Sequence, residues 1–331
     1  MARPSLRDVA SAAGVSITLA SFAINGRAGV SDSARQRILD AARQLGYHAN
    51  PHARALRTGS SNTFALMIRN VTNPFFLDVV SGAQEAAFAE DASVLVVDSD
   101  YSSERELRHL QRLAGERVEG LAIAPVGPGA SVRRWQELCP DVPTVVLNAT
   151  APGIEGVRRV GPDNTAAVEL AVRHLAGLGH REIAFLTAES TQMADHDRLA
   201  AFLALADTLG IRPRPVETAL TLDGVSAVTT RLLTGPEPPS ALITNSDHTA
   251  HAVYKAARAL GVRIGADLSV VGHDDLPTSE LLDPPLTTLR LNRRELGRAV
   301  FARMLDPTGL ADHREPVELV VRDSTRPVAR S

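Results

Sequence analysis

Hydroxyl-bearing and apolar side chains gather at the start of a short predicted helix near the amino terminus. Ser5 and Asp8 give the preceding segment the beginning of a capping box, and Gly14 permits the tight turn that ends it. Ser16 suits the N-cap of the second helix. Two short helices joined in this way have the spacing of a helix-turn-helix, whose second helix places its first residues in the major groove of DNA. We therefore expect DNA contacts from Ser16, Ile17, Thr18, Ser21 and Phe22.

Three short helices are expected to position these side chains. Ser31 suits the N-cap of the third helix, and Gly46 suits its end. Apolar residues at helical spacing should face inward: Leu6, Val9, Ala10, Ala13, Ile38, Ala41, Ala42 and Leu45. A three-helix bundle that binds no DNA would need the same caps and spacing, so both interpretations stay open on this pattern alone.

The charge distribution favours a DNA-binding head. Eight arginines and three aspartates precede Ser60, a formal charge of +5, whereas the remainder carries 27 basic and 35 acidic residues, a formal charge of −8. A basic segment can neutralise phosphates, while an acidic remainder avoids nucleic acid. A chance surface bias could give similar counts, so the charge supports the helix-turn-helix without establishing it.

Residues 50–59 suit a short hinge after the head. Asn50 can cap a helix and Pro51 fits its first position, so residues 51–57 can form two turns. Helices shorter than roughly 12 residues are marginal in water because nucleation is costly. We expect this one to order only on DNA and against a second copy of the chain.

Short runs in the head and hinge combine into a pattern more specific than any single motif. They are Leu6-Arg7-Asp8-Val9-Ala10, Ala13-Gly14-Val15-Ser16, Asn25-Gly26, Val30-Ser31, Arg35 to Ile38, Leu45-Gly46-Tyr47, Asn50-Pro51, Ala53-Arg54 and Leu56-Arg57-Thr58-Gly59. With these runs the chain resembles the lactose/galactose repressor (LacI) family of bacterial transcription regulators. The resemblance extends over the whole chain.

The resemblance implies further DNA contacts. They come from Asn25, Ser31, Tyr47 and Asn50 and from the hinge residues Ala53, Arg54, Leu56 and Arg57. Leu56 of each subunit would wedge into the central minor-groove step, with Ala53 beside it and Arg54 or Arg57 near phosphates. Wedging is cheapest at flexible pyrimidine-purine steps, so we expect a near-palindromic operator with a CG, CA or TA centre.

The recognition helix departs from the family pattern at Phe22. After the serine equivalent to Ser16 the family has Thr-Val-Ser-Arg, whereas this chain has Leu19-Ala20-Ser21-Phe22. Arginine commonly reads a guanine edge, which a phenyl ring cannot do, while Ile17 and Phe22 can contact thymine methyl groups. We expect half-sites with T or A where relatives prefer G. Packing of Phe22 into the helical core is the alternative.

Beyond Ser60 the chain alternates strand-like and helix-like runs, which predicts parallel sheets with crossover helices. Strands are expected at 64–69, 94–98, 120–126, 144–148, 183–187, 241–245 and 269–272, and helices near 164–178, 197–209, 224–233 and 248–260. The resemblance implies an all-α helix-turn-helix head followed by the two-lobed α/β fold of type I periplasmic sugar-binding proteins. Its final stretch (288–291, helix 292–305, 317–321) would return to the first lobe.

The predicted organisation has three parts. A helix-turn-helix domain covers residues 1–48, a hinge covers 49–60, and an effector-binding and dimerisation core covers 61–331. Lobe one takes about 61–160 plus 290–322, and lobe two takes about 161–289. Ligands of such folds bind between the lobes, at the carboxyl ends of the strands.

The resemblance also implies effector-binding residues. Phe75 would place an aromatic ring against the ligand, Arg198 would grip ligand oxygens, and Asp274 would accept hydrogen bonds from ligand hydroxyls. Asp247 matches the aspartate of a family Asn-Asp pair, whose asparagine is replaced here by Ser246. Arginine with aspartate suits a sugar or sugar derivative. The alternatives are an inter-lobe salt bridge between Arg198 and Asp274, and core packing of Phe75.

Other chemistries lack their signals in the sequence. Gly127-Pro128-Gly129 is no dinucleotide fingerprint, His248 and His251 have no third metal ligand near them, and no nucleophile motif appears. We therefore expect no enzyme, no metal and no cofactor. A single cysteine and the lack of a signal-like or membrane-spanning apolar run predict a cytoplasmic protein with no membrane partner. Without a leucine heptad tail, a homodimer is expected.

The leading hypothesis is a sequence-specific repressor whose operator affinity is controlled by a small ligand between two lobes. A solute-binding receptor without a gene-regulatory role would share the body but would need no basic head. A sugar-modifying enzyme on the same scaffold would need a catalytic constellation, which we do not find in the sequence.

Overall fold

The computed structural model describes residues 4–47, 61–189 and 196–328 of the 331-residue chain. The chain divides into two compact units, with the boundary between Asn62 and Thr63. The first unit is helical and the second combines helices with parallel sheets. No helix in the described ranges is both long enough and apolar enough to cross a membrane.

The first unit contains helices α1 (Leu6–Ala13), α2 (Ile17–Ile24) and α3 (Asp32–Leu45). Both hydrogen bonds of the predicted capping box between Ser5 and Asp8 are present. Gly14 and Gly46 end α1 and α3 with φ angles of +66° and +64°, a region where glycine is favoured. The three helices share one apolar core: Val9, Ala10, Ala20, Ala23, Ile38, Ala41 and Ala42.

One predicted core residue of the head lies at the surface instead. Leu45 is 40% exposed, although its spacing from Ile38 and Ala41 places it near the apolar face of α3. Leu45 is the last residue of α3, and Tyr47 packs against the core just beyond it. The end of the helix therefore leaves Leu45 without a covering element.

The second unit alternates strands and helices along its length. The strands are β1 (Thr63–Ile68), β2 (Ser93–Asp98), β3 (Leu121–Ile123), β4 (Thr144–Leu147), β5 (Arg158–Pro162), β6 (Glu182–Ala188), β7 (Arg212–Thr218), β8 (Ala241–Ile243), β9 (Ser269–Val271), β10 (Thr288–Arg290), β11 (His313–Glu315) and β12 (Glu318–Val320). The helices are α4 (Pro74–Ala89), α5 (Ser103–Glu116), α6 (Ala130–Leu138), α7 (Asn164–Gly177), α8 (His196–Leu209), α9 (Leu222–Thr234), α10 (Asp247–Ala259) and α11 (Arg293–Leu305).

The first lobe is built on a six-stranded parallel sheet with the order β11-β5-β4-β3-β1-β2. Alternate residues of β1 serve opposite faces, as strand geometry requires. Phe64 and Leu66 join the core under α4 and α11, whereas Ala65 and Met67 join the core under α5 and α6. Helices thus cover both faces, which is the usual condition of a parallel sheet.

The second lobe is built on a four-stranded parallel sheet with the order β7-β6-β8-β9. Alternate residues of strand β6 also face opposite sides of its sheet. Ala184 and Leu186 pack beneath α9 and α10, whereas Ile183 and Phe185 pack beneath α7 and α8. Both lobes are therefore three-layered α/β units, in agreement with the predicted architecture.

The last part of the chain is shared between the lobes, which differs from the predicted return to the first lobe. Helix α11 and strand β11 do join the first lobe. Strands β10 and β12 instead form a separate antiparallel pair, and Leu289 of β10 lies in a core of the second lobe. Bridges from Val271 to Thr287 and from Asp274 to Arg290 explain this, because they continue the edge of the second sheet.

Helices α4 and α11 approach each other closely at two glycines. A Cβ atom at Gly82 would lie 2.0 Å from the Arg294 carbonyl oxygen, and one at Gly297 would lie 2.1 Å from the Val79 carbonyl oxygen. Neither position has room for a side chain. The two helices therefore pack backbone to backbone and cover the first sheet together.

Candidate functional site: a DNA-reading helix and a polar inter-lobe cleft

The start of helix α2 presents the side chains predicted to contact DNA. Ser16 is the N-cap, and its Oγ accepts a hydrogen bond of 3.1 Å from the Leu19 amide. Ser16, Ile17 and Thr18 are exposed, with Ile17 at 45%, while Ser21 is half-buried. Ile17 is not among the core residues of the head, so its exposed part is available for an apolar contact with a base.

Phe22 lies at the edge of the head and outside its core. Its ring is half-buried, it is not one of the core residues, and the Arg27 guanidinium carbon lies 5.7 Å from the ring centroid. This position favours surface recognition over the alternative of core packing. Arg27 adds a positive charge beside an apolar ring, an arrangement suited to a groove wall.

The other predicted DNA contacts of the head have structural partners. Asn25 donates through Nδ2 to the Ser21 carbonyl at 2.5 Å and so ends α2. Ser31 is exposed as the N-cap of α3, and Tyr47 is half-buried against the helical core. The hinge predictions for Asn50, Ala53, Arg54, Leu56 and Arg57 concern residues outside the described ranges.

Arg35 holds the recognition helix in place, a role that the sequence interpretation did not assign. Its Nη1 donates to the Ala23 carbonyl at 2.9 Å and its Nη2 to the Arg27 carbonyl at 2.6 Å. These bonds tie α3 to the end of α2 and to the following turn. The sequence signal for this role is an arginine near the start of the third helix, shortly after its Ser31 N-cap.

A polar cleft lies where strands of both lobes end. Arg69, Asn148, Asn245 and Asp274 all follow the carboxyl ends of sheet strands, as expected for this fold class. The space between the cleft walls amounts to about 570 Å³, part of which is open to solvent. Its walls are formed by Arg69, Asn73, Phe75, Phe76, Tyr101, Asn148, Ala188, Arg198, Leu220, Asn245, Ser246 and Asp274.

Arg198 is held rigidly in the cleft wall. Its side chain extends from α8 and is buried, with 5% of the residue exposed. The Nε atom donates to Asn164 Oδ1 at 2.7 Å, and Nη1 donates to the Asn245 carbonyl at 2.9 Å. Asn164 is itself oriented by donating to Asp197 at 3.2 Å. A guanidinium fixed in this way is well placed to hold ligand oxygens.

Asp274 occupies a strained turn at the cleft. Its φ angle is +116°, and that of Asp275 is +50°, both unusual for residues other than glycine. Oδ1 of Asp274 lies 2.9 Å from His273 Nδ1. Burial raises the pKa of Asp274 to about 7, against the opposing effect of Arg198, Arg293 and Arg69.

Arg293 links this turn to the first lobe. Its Nε donates to Asp78 Oδ2 of α4 at 2.9 Å. Its Nη1 donates to the carbonyl oxygens of Asp274 and Asp275, the latter at 3.2 Å. One side chain at the start of α11 therefore joins the strained turn of the second lobe to a helix of the first.

Phe75 and Ser246 both line the cleft. Phe75 is 2% exposed, and its ring meets the Phe76 ring edge to face at a centroid distance of 5.1 Å. Ser246 is the N-cap of α10, and its Oγ accepts from the Thr249 amide at 3.2 Å. Leu220, from the second lobe, lines the cleft and lies in the run 219–222, which contains no aromatic residue. Among the described wall residues, the aromatic rings therefore all come from the first lobe.

Asp247 does not line the cleft, and its position does not support the predicted contact with an effector. The carboxylate is fully buried and accepts three hydrogen bonds: from the Leu276 amide at 2.9 Å, from Ser279 Oγ at 2.5 Å and from Thr288 Oγ1 at 2.6 Å. Burial, with the adjacent Asp274 carboxylate, raises its pKa to about 7. Asp247 thus fastens the loop between β9 and β10.

The cleft residues that the sequence interpretation missed share one signal. Arg69, Tyr101, Asn148 and Asn245 lie one to three residues beyond the end of a strand of the first or second parallel sheet. Polar residues at such positions converge at one edge, so position alone could have identified them. Within the described ranges, His, Cys, Asp and Glu side chains form no group of three or more that could hold a metal.

Comparison with known proteins agrees with both parts of this arrangement. Residues 5–50 match the family of bacterial regulatory proteins, lacI family, and residues 172–331 match the periplasmic binding protein-like domain. The HTH-type transcriptional repressor CytR of Escherichia coli (strain K12) is 28% identical over 331 residues, covering 97% of this chain and 96% of CytR. The ribose operon repressor of the same organism is 29% identical over 311 residues, covering 92% and 94%.

A solved structure extends the likeness to the whole architecture. The lac repressor dimer bound to operator and the anti-inducer ONPF has a TM-score of 0.87 and 27% identity, covering 98% of this chain and 100% of that one. The resemblance predicted from the motifs is thereby confirmed, as is the predicted fold class. The amino-terminal part is thus that of the lacI family of bacterial regulatory proteins, and nearly the whole length of the chain is similar to bacterial transcriptional repressors.

Proposed function

We propose that this protein is a transcriptional repressor that binds a near-palindromic operator as a homodimer and responds to a small hydroxyl-rich ligand in the cleft. It acts in the cytoplasm, where the operator is found, and has no catalytic role. The effector side chains are Phe75, Arg198, Ser246 and Asp274, and the base-reading side chains are those exposed on α2, with Phe22.

The observation that carries the proposal is the presence of two recognition surfaces in one chain. The head exposes Ser16, Ile17 and Thr18 at the start of a helix-turn-helix recognition helix. The body fixes Arg198 and Asp274 in a cleft between two lobes. A solute receptor without a regulatory role would have no use for the first surface, which favours the repressor.

Ligands of the structural neighbours support a hydroxyl-rich effector and a dimer. The lac repressor structure contains a dimer, an operator and a small anti-inducer, and a LacI-family regulator from Enterococcus faecium contains ribose. An arginine fork and a carboxylate can together satisfy several hydroxyl groups. This chain presents both groups at its cleft.

Selection of duplexes from a random pool by the full-length protein, at two salt concentrations, tests the proposal. We expect a palindrome with a pyrimidine-purine centre and half-sites with T or A at the position read by Phe22. Raising the salt should weaken binding of all duplexes through lost phosphate contacts, while the ranking of sequences persists. Analytical ultracentrifugation on the selected duplex should give two chains per operator.

Salt-sensitive binding without any enriched sequence would contradict the repressor proposal. The matched control is a triple variant, Ser16→Ala, Thr18→Ala and Phe22→Ala, which removes base-reading groups but keeps every arginine of the head. It should keep most non-specific affinity and lose the palindrome.

A further inference from the structure

The described wall of the cleft carries more positively charged than negatively charged side chains. Among the residues that the structure describes, two guanidinium groups, Arg69 from the first lobe and Arg198 from the second, line it together with one carboxyl, that of Asp274. The other polar groups of the described wall are neutral amides and hydroxyls. A neutral sugar would leave this excess of positive charge uncompensated.

Arg69 is the unusual member of this pair. It directly follows β1, is half-buried, and donates through Nη2 to the Asn148 carbonyl at 3.1 Å and through Nη1 to the Pro125 carbonyl at 3.5 Å. Its guanidinium carbon lies 5.9 Å from the Phe76 ring centroid. Within residues 4–47, 61–189 and 196–328, no carboxylate forms an ion pair with it.

Neighbouring arginines of the first lobe and its rim differ in this respect. Arg105 pairs with Asp100 at 2.8 Å, and Arg293 pairs with Asp78 at 2.8 Å. The hydrogen bonds of Arg69 go to neutral carbonyl oxygens, and the carboxyls of Asp274 and Glu106 act on it only from beyond ion-pair distance, so this half-buried guanidinium loses hydration without gaining a direct ion pair. The two hydrogen bonds of Arg69 use two of the five N–H donors of its planar group.

We propose that the effector is an anionic polyol, carrying a phosphate or a carboxylate group, and that Arg69 binds this group. The inference rests on the proposed function, because it takes the cleft to be the effector site. Arg198 and Asp274 hold the hydroxyl-bearing part of the ligand, and the neutral groups of Asn73, Asn148 and Tyr101 complete its hydrogen bonds. An arginine fork matches the paired oxygens of either anion.

Inorganic phosphate is the simplest probe of the Arg69 site. Thermal unfolding of the full-length protein is measured in phosphate and in chloride at equal ionic strength. Phosphate should raise the melting temperature of the wild type by about 2 °C or more, because a ligand that binds only the folded state stabilises it. Arg69→Gln should abolish this rise, whereas Arg105→Gln, which removes an arginine that already has a partner, should retain it.

Phosphate can also bind the basic head. Comparing the wild type with Arg69→Gln and Arg105→Gln therefore shows whether the rise in melting temperature comes from the Arg69 site. A rise of the same size in Arg69→Gln as in the wild type, or no rise in the wild type, would overturn the proposal. Arg69→Lys serves as the second variant, since it keeps the charge but loses the fork and should keep part of the rise.

Matched pairs of ligands then separate phosphate from carboxylate. Calorimetric titrations would compare glucose with glucose 6-phosphate, gluconate and glucuronate, and ribose with ribose 5-phosphate. At least one anion should bind about tenfold or more tightly than its neutral parent, and Arg69→Gln should remove that advantage. A neutral sugar that binds as tightly as its anionic partner, or an advantage that survives in Arg69→Gln, would contradict the assignment.

Two different results separate an absent anionic site from an absent repressor function. A wild-type protein that selects a palindromic operator but shows no Arg69-dependent anion response remains a repressor with a neutral effector. A protein that shows the anion response but selects no operator has the anionic site without the regulatory role.

Discussion

At the scale of single residues, we expect Phe22 to limit which bases helix α2 can read. Its ring is outside the core of the head, so its replacement should alter recognition more than stability. A phenyl ring offers no hydrogen bond to a base edge and can contact only apolar groups such as the thymine methyl. The departure of this chain from the family run Thr-Val-Ser-Arg therefore has a direct chemical consequence for the operator.

Phe22→Arg should shift one position of each half-site toward G. A guanidinium bidentate to guanine O6 and N7 discriminates by about 1–3 kcal/mol, roughly five- to 150-fold in affinity. Random-duplex selection with the variant measures the shift. Phe22→Leu is the control, because it stays apolar and should keep the wild-type half-site. An unfolded head in Phe22→Arg, or an unchanged half-site, would contradict the surface position of this ring.

At the scale of elements, the caps and helix ends were predictable because they are local. Ser5, Ser16 and Ser31 each accept a hydrogen bond from an amide three residues later, and such spacing is visible in the sequence. The role of Asp247 was not predictable in this way. Its hydrogen-bond donors lie 29 to 41 residues further along the chain, and only the folded second lobe brings them to its carboxylate.

The residues of the cleft were likewise only partly predictable from the sequence. Arg198, Phe75 and Asp274 were reached through the family motif, and each lies in the wall. Arg69 belongs to no quoted motif. Its place directly after β1 is visible in the sequence, but the pairing of β1 with β3, which brings that strand end to the cleft, is visible only in the structure. Non-local strand pairing, rather than any local pattern, decides which strand ends meet at the cleft.

Helix α5 carries a buried carboxyl that should make stability depend on pH. Glu106 is 1% exposed and its Oε1 accepts from the Val126 amide at 3.0 Å. Burial raises its pKa from 4.5 to about 7, although the Val126 bond and Arg69 act in the opposite direction. The folded state thus holds the proton more tightly than the unfolded chain. This contribution to stability is complete below about pH 4.5 and is lost as the pH rises to about 7.

Glu106→Gln should remove this dependence, because glutamine stays neutral and its oxygen can still accept from Val126. The free energy of unfolding of the wild type should fall relative to the variant by at most roughly 3 kcal/mol between pH 5 and pH 8. Urea unfolding of both proteins at several pH values measures the difference. Because Asp247 and Asp274 titrate in both proteins, only the difference is attributed to Glu106. A constant difference across this range would contradict the raised pKa.

The backbone contact between α4 and α11 should be intolerant of any side chain. Gly82→Ala would place Cβ 2.0 Å from the Arg294 carbonyl oxygen, so the helices must separate, at a cost of about 3 kcal/mol or more. Gly115→Ala in α5 is the matched control, since no atom lies within 4 Å of its Cβ position. It should stabilise by roughly 0.5–1 kcal/mol. Equal effects of the two substitutions on urea unfolding would contradict this packing.

At the scale of the whole molecule, the two recognition functions must be linked if the protein is a regulator. Any ligand that changes the affinity for the operator by a given factor must have its own affinity changed by the same factor when operator is bound. Calorimetric titration of an identified effector, with and without saturating operator, measures one factor. Operator titration with and without effector measures the factor by which the effector changes operator affinity. We expect the two factors to agree within about twofold and each to lie between roughly 5 and 150.

Arg198→Met supplies the control for this linkage. The variant keeps a long side chain but removes the guanidinium that lines the cleft, so effector should no longer change its operator affinity. Operator affinity in the absence of effector should stay near the wild-type value. A wild type whose operator affinity ignores a bound effector would show that the cleft has no regulatory role.

Arg293, at the start of α11, connects the cleft to the helices of the first lobe. Arg293 holds the carbonyl oxygens of the Asp274 turn with one nitrogen and Asp78 of α4 with another, and α4 is locked to α11 by glycine contacts. We therefore expect a ligand that draws Asp274 inward to move α4 and α11 of the first lobe together, because Arg293 joins the Asp274 turn to both helices.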